Sequence, residues 1–138
     1  MNDKARLLAS VPLFAHLGGP GLEEVATLAD EVDVDAGTVL TREGRTGGEF
    51  FVIVDGSVSV ERGGRVVATL RAGDFLGEIA LVDGGPRTAT TTATVPSRLL
   101  VVAHREFHSL LDRFPEVRMG VLQALAERVR KLDVQAPI

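Results

Sequence analysis

The most informative segment of the sequence is FLGEIALVDGGPRTAT, residues 75–90. It combines a glycine, a carboxylate, a guanidinium and a hydroxyl within one short loop. Gly77 lets the backbone approach a ligand closely, because glycine carries no Cβ atom. If a helical turn opens here, the amides of Glu78, Ile79 and Ala80 are unpaired donors that suit an anion. The segment therefore has the groups needed to hold a sugar and a phosphate.

The charged and hydroxyl side chains divide these tasks. The planar fork of Arg87 suits two phosphate oxygens better than a lysine would. Glu78 only accepts hydrogen bonds, so beside an anion it fits a hydroxyl such as the ribose 2'-OH. Thr88 adds a donor and an acceptor next to the arginine. Each residue taken alone is more often structural, but their common register favours a binding site.

Gly77-Glu78-Ile79-Ala80-Leu81 followed by Pro86-Arg87-Thr88-Ala89 resembles the phosphate-binding cassette of the cyclic nucleotide-binding domain family. That family includes catabolite-activator-like regulators, cyclic-nucleotide-dependent kinase regulatory domains and channels. Upstream segments also resemble its pattern of glycines and strands: Pro12–Phe14, Ala36–Leu40, Glu43–Gly44, Phe50–Val58 and Gly73–Phe75. The resemblance extends from Leu7 to Leu132.

The resemblance implies a role for each cassette residue. Arg87 would bind the cyclic phosphate, Glu78 the ribose 2'-OH, and Thr88 the phosphate or the purine. We expect cAMP as the regulatory ligand, with cGMP open because a threonine at position 88 is also associated with the guanine amino group. The domain would be a sensor, not an enzyme, whose C-terminal helix changes position on ligand binding. The alternatives are a degenerate, non-binding interaction module, or the sensor fragment of a longer transcription regulator or channel.

Hydrophobic periodicity divides the single predicted domain, residues 1–138, into three zones. Residues 1–30 are expected to be helical, residues 31–103 alternate with period two, and residues 104–133 are helical again. The many glycines between short strands favour an antiparallel jelly-roll β-barrel (double-stranded β-helix). The predicted fold is mainly β with flanking α: N-terminal helices, a short phosphate-binding helix, and two C-terminal helices separated at Phe114-Pro115.

The last predicted helix carries apolar residues at spacings of three and four: Leu122, Leu125, Val129 and Leu132. This seam either packs against the barrel or, by resemblance, covers the purine or pairs with its twin in a homodimer. A lid over the base would involve Arg128, Leu132 and Asp133. Bacterial activators of this type often present a hydroxyl residue there, and this sequence has Leu132 or Asp133 instead.

Composition excludes several functions. A formal net charge of -4 argues against direct nucleic-acid binding. The longest apolar runs are far below the roughly 18 residues of a membrane span, so we expect a cytoplasmic protein. Its partner would be an effector protein that the sequence does not identify.

No side-chain cluster in the sequence indicates a metal site or catalysis. His104 and His108 lack a third ligand, so no metal is expected, and no nucleophile-base pair supports catalysis. Six residues follow Leu132, too few for an appended DNA-binding helix-turn-helix unless the chain is a fragment.

Overall fold

The computed structural model describes residues 3–77 and 84–132, except for the side chains of Arg128, Lys131 and Leu132. Four α-helices and a short 3-10 helix occur in this part. They are α1 (Asp3–Ala9), the 3-10 helix (Pro12–Phe14), α2 (Gly19–Leu28), α3 (His104–Arg113) and α4 (Pro115–Leu132). None of these helices has the length and apolar character that crossing a membrane requires.

The strands between α2 and α3 form two antiparallel four-stranded sheets. The strands are β1 (Asp30–Val34), β2 (Val39–Thr41), β3 (Glu49–Asp55), β4 (Ser57–Arg62), β5 (Arg65–Arg71), β6 (Phe75–Leu76), β7 (Thr90–Ala93) and β8 (Ser97–Ala103). One sheet has the order β1-β8-β3-β6 and the other β2-β7-β4-β5. The first sheet lies between the helices and the second sheet. It is called the inner sheet here, and the second is called the outer sheet.

The two central strands of the inner sheet, β3 and β8, are buried on both faces along their apolar middle parts. In β3, Phe51 and Ile53 pack between the two sheets with Val58 of the outer sheet. Phe50 and Val52 point the opposite way and belong to the core beneath the helices. This alternation follows from the period of two along a strand, and it places one apolar run in two cores.

Phe50 is the centre of the helical core. Its ring lies 6.0 Å from the ring of Phe14, 5.8 Å from that of Phe75 and 5.2 Å from that of Phe107. These rings come from the 3-10 helix, β6 and α3, so one side chain joins both helical ends of the chain to the sheet. Buried aromatic pairs of this kind contribute beyond their buried area.

The predicted fold class is confirmed: antiparallel strands with helices at both ends of the chain. Gly63 and Gly64 both have positive φ, 57° and 79°, as the tight turn between β4 and β5 requires. α3 ends at Arg113 and α4 begins at Pro115, so the break predicted at Phe114-Pro115 is also confirmed. The predicted short phosphate-binding helix falls on residues 78–83, outside the described residues.

The first half of α4 packs against the 3-10 helix. Val117 and Val121 are buried there, and Gly120 faces the backbone of Leu13. A Cβ atom at position 120 would lie 2.4 Å from the Leu13 carbonyl oxygen, so only glycine permits this approach. The start of the last helix is thereby fixed against the N-terminal part of the chain.

Candidate functional site

Arg87 is the buried cation of the cassette. Its side chain is only 5% exposed, and Nη2 donates a 2.8 Å hydrogen bond to the backbone carbonyl of Glu49 at the start of β3. Arginine is almost never buried to this degree without partners. Burial in a loop, beside a strand end, holds the guanidinium in a fixed position suited to recognising an anion.

Two glycines make room for this guanidinium. A Cβ atom at position 47 would lie 2.6 Å from Nε of Arg87, and one at position 77 would lie 2.8 Å from Nη1. Gly77 also has a φ of 101°, in the left-handed region that favours glycine. The glycine of the predicted cassette thus lies directly against its arginine.

Backbone hydrogen bonds hold the Arg87 loop to the loop between β2 and β3. The amide of Arg87 donates to the carbonyl of Arg45 at 2.8 Å, and the amide of Gly44 donates to the carbonyl of Arg87 at 2.9 Å. Next to these bonds, the amide of Glu43 donates to the hydroxyl of Thr90, the first residue of β7, at 3.0 Å. The position of Arg87 therefore depends on a segment about forty residues earlier, as well as on its own loop.

Buried threonines continue this attachment into the outer sheet. The Thr41 hydroxyl donates to the Ala89 carbonyl at 3.0 Å and lies 2.8 Å from the Thr91 hydroxyl. Thr41 and Thr91 are both buried, so these bonds are shielded from water. They fix the residues immediately after Arg87 and Thr88.

The outer sheet presents an exposed apolar face near the cassette. Leu70 and Ala68 share one face of β5, and Leu70 packs on the cluster between the sheets. A shift of register separates Ala68 from Val66, which is 61% exposed. Glu61 of β4 pairs with both Val66 and Thr90, so these two residues lie in one row, two strand spacings or about 10 Å apart.

The sequence matches the family described as "Cyclic nucleotide-binding domain" over residues 31–114, more than half of the chain. This chain belongs to the cyclic nucleotide-binding domain family. The matched region includes β1 from its second residue, the other seven strands, the Arg87 loop and α3.

Three similar proteins illustrate the breadth of this family. A cyclic nucleotide-gated potassium channel of Rhizobium etli is 37% identical over 123 residues, which are 89% of this chain and 34% of the channel. The regulatory domain of Toxoplasma gondii PKA, solved with cAMP, is 30% identical with a TM-score of 0.74, covering 78% of this chain and 42% of that one. The N-terminal domain of a Streptomyces coelicolor A3(2) transcriptional regulator is 34% identical with a TM-score of 0.77, covering 96% of both chains.

The chain spans about a third of the length of the curated relatives it matches, 34% and 31% for two potassium channels. The family domain is therefore one part of those proteins. The rest of each of those channels lies outside the region that matches this chain.

The structure brings together two of the predicted site residues, Gly77 and Arg87. Thr88 is next to them and exposed. The other predicted cassette residues, Glu78, Ile79 and Ala80, lie outside the described residues, as does Asp133 of the predicted lid. Arg128 and Leu132 lie on α4, but their side chains also lie outside the description.

Two of the three seam residues whose side chains the structure describes are not part of the core. Leu122 and Val129 are each 60% exposed, whereas Leu125 is partly buried against the helical core. The buried face of α4 consists of Val117, Gly120 and Val121 instead. The packing alternative for the seam therefore applies to Leu125 and is wrong for Leu122 and Val129.

Two residues of the site were not singled out by the sequence. Gly47 is one of the many glycines between strands, and no prediction was made for Glu49. The structure places both against Arg87. The one available signal was the Gly47-Gly48 pair directly before Glu49, because consecutive glycines can permit close approach as well as a turn.

The remaining polar clusters have local explanations. Arg98 pairs with Asp33 at 2.9 Å and Glu31 at 3.9 Å, and the pKa of Arg98 is raised, first by its hydrogen bond with Asp33 and then by the two carboxylates. The rings of His104 and His108 lie 4.4 Å apart. Within the described ranges, no group of three or more His, Asp or Glu side chains could hold a metal ion.

Proposed function

We propose that this domain is a regulatory sensor that binds a 3',5'-cyclic nucleotide, with cAMP as its ligand. The observation that carries this proposal is the buried guanidinium of Arg87 lying against Gly77 in a chain of the cyclic nucleotide-binding domain family. A cyclic phosphate is a single compact anion, and a fixed guanidinium beside a glycine loop suits such an anion.

Each cassette residue has a role in this proposal. Arg87 binds the cyclic phosphate, together with the amides that follow Gly77, at Glu78, Ile79 and Ala80. The Glu78 carboxylate accepts a hydrogen bond from the ribose 2'-OH. Thr88, which is exposed beside Arg87, contacts the phosphate or the purine.

The base would lie against β5. Ala68 is exposed on the same strand face as Leu70 and offers apolar contact to a purine. A flat apolar surface favours stacking of any purine, so the choice of cAMP over cGMP depends on Thr88 and on the lid. The lid in this proposal is formed by Arg128, Leu132 and Asp133, at and just after the end of α4.

The output of the sensor is the position of α4. Its connection to α3 at Phe114 is short, and Arg118 holds it by donating a 2.6 Å hydrogen bond from Nη1 to the Leu111 carbonyl. Ligand that contacts both the cassette and the end of α4 would favour one position of the helix over another. We propose that this change is read by an effector protein, in a cytoplasmic, non-catalytic role that needs no metal, nucleic acid or membrane contact.

Exposed apolar residues on α4 support self-association of the domain, in addition to ligand binding. Met119, Leu122 and Val129 are each at least half exposed and recur at helical spacing. We propose that this face pairs with its twin in a homodimer. If the domain has lost ligand binding, the same face supports the alternative function of an interaction module.

Thermal unfolding with and without ligand tests the proposed function. Cyclic AMP at a hundredfold excess over its dissociation constant should add about 2.7 kcal/mol, or several degrees in Tm. Cyclic GMP and a cyclic dinucleotide serve as comparison ligands. Arg87→Ala should remove most of the response to cAMP, because it removes the charged partner of the phosphate. No shift with any of the three ligands would exclude the sensor function and favour the interaction module.

A further inference from the structure

The Glu49 carboxylate lies beside the cation to which the ligand phosphate is assigned. Its Oε2 atom is 3.5 Å from Nη2 of Arg87, the same nitrogen that donates to the Glu49 carbonyl. Arg87 is buried, whereas the Glu49 side chain is 51% exposed. The pair therefore joins a fixed cation to an anion that can rotate into water.

The Glu49 carboxylate stands at the edge of the core. Glu49 is the first residue of β3 and shares a strand face with Phe51 and Ile53, which pack between the two sheets. Its own side chain lies at the exposed end of that face, and there it meets Arg87.

We infer that Glu49 competes with the ligand phosphate for Arg87 and so raises the concentration of cyclic nucleotide needed to fill the site. This inference rests on the proposed function. A phosphate bound to the guanidinium, whose Nη1 lies beside Gly77, would stand a few ångström from the carboxylate at Nη2, and like charges at that separation repel. Ligand binding is therefore tightest when the Glu49 side chain has left Arg87 for solvent.

A purely positioning role for Glu49 predicts the opposite effect. If the carboxylate served to orient the guanidinium toward the ligand, its removal would weaken binding. The Glu49 backbone carbonyl already holds Nη2 at 2.8 Å, and a side-chain substitution leaves that bond in place. The sign of the change in affinity thus distinguishes competition from positioning.

The experiment is calorimetric titration of cAMP into the parent, Glu49→Gln, Glu23→Gln, Arg87→Ala, and the double variant with both Glu49→Gln and Arg87→Ala. Glu49→Gln should bind about two- to fivefold more tightly than the parent, the range expected for loss of a partly exposed ion pair. Glu23→Gln removes the same charge from an exposed position of α2 and should leave the dissociation constant unchanged. In the Arg87→Ala background, Glu49→Gln should give a smaller gain, because only the repulsion between the carboxylate and the phosphate is left to relieve.

The other outcomes are also decisive. Equal or weaker binding by Glu49→Gln overturns the competition, and so does a gain that is equally large without Arg87 or that Glu23→Gln shares. If the parent fails to bind but Glu49→Gln binds, competition is supported in its strongest form. If neither binds cAMP, the proposed function itself has failed and the inference falls with it.

Discussion

Gly47 packs against Arg87 so closely that a Cβ atom at position 47 would lie 2.6 Å from Nε and 2.9 Å from Nη2. The obstructed atoms belong to the end of a flexible side chain, so Gly47→Ala should displace the guanidinium rather than unfold the domain. We expect cAMP affinity to fall at least tenfold, because a displaced fork no longer meets the phosphate in its bound geometry. Calorimetric titration together with urea unfolding measures both properties.

The control for Gly47→Ala is Gly18→Ala. A Cβ atom at position 18 would have its nearest contact at 3.9 Å, with Cδ of Pro20, and the backbone there is extended. This control should bind cAMP like the parent. Loss of affinity in both variants would mean that added backbone stiffness, and not the position of Arg87, is responsible.

Thr41 connects the outer sheet to the cassette, so its hydroxyl should matter for stability and for binding. Thr41→Val removes the donor to the Ala89 carbonyl and the partner of the Thr91 hydroxyl, both in buried surroundings. Leaving buried polar groups unpaired should lower the free energy of unfolding by about 1–3 kcal/mol. Because Ala89 follows Arg87 by two residues, cAMP affinity should fall as well.

Thr69→Val provides the comparison for Thr41→Val. Thr69 is exposed on β5, and the substitution should change the free energy of unfolding by less than about 0.5 kcal/mol. Urea unfolding of both variants makes the measurement. If Thr41→Val were as stable as Thr69→Val, the Thr41 hydroxyl bonds would contribute nothing to holding the cassette.

The sequence was sufficient to predict the parts of the site that are close along the chain. Gly77 and Arg87 are ten residues apart in one motif, and their types alone indicate an anion site. Gly47 and Glu49 reach Arg87 only because the amide of Arg87 pairs with the carbonyl of Arg45. No local pattern encodes that pairing, and the Gly47-Gly48 pair by itself does not indicate that Arg87 is the group approached.

The exposed face of α4 should control self-association. Leu122 is 60% exposed at its centre, so Leu122→Glu places a charge where two copies of the helix would meet without disturbing the fold. Sedimentation velocity should show a dimer for the parent and a monomer for this variant, because an unpaired charge buried in an interface is costly. Gln123→Glu adds the same charge at the next exposed position and should leave the dimer intact. A monomeric parent would contradict the proposed homodimer.

The same helix shows what periodicity cannot decide. Leu122, Leu125 and Val129 form a regular apolar stripe, yet Leu122 and Val129 are exposed while Val117 and Val121 are buried. A helix with apolar residues on more than one face gives no indication of which face packs. The contact that selects the face is between Gly120 and a backbone carbonyl, and glycine contributes little to a hydrophobic pattern.

Gly120→Ala provides a test in which helix propensity and packing predict opposite signs. Alanine is favoured over glycine in a helix interior by about 1 kcal/mol, so propensity predicts stabilisation. The new Cβ atom would lie 2.4 Å from the Leu13 carbonyl oxygen, a backbone atom that cannot rotate away. We therefore expect destabilisation by about 1–3 kcal/mol, the usual cost of overpacking, with α4 displaced from the 3-10 helix.

Urea unfolding measures this change, with Ala126→Gly at an exposed position of α4 as the control. Ala126→Gly should lower the free energy of unfolding by about 1 kcal/mol, the difference in helix propensity between alanine and glycine. A Gly120→Ala variant more stable than the parent would show that α4 is not held against Leu13 in solution.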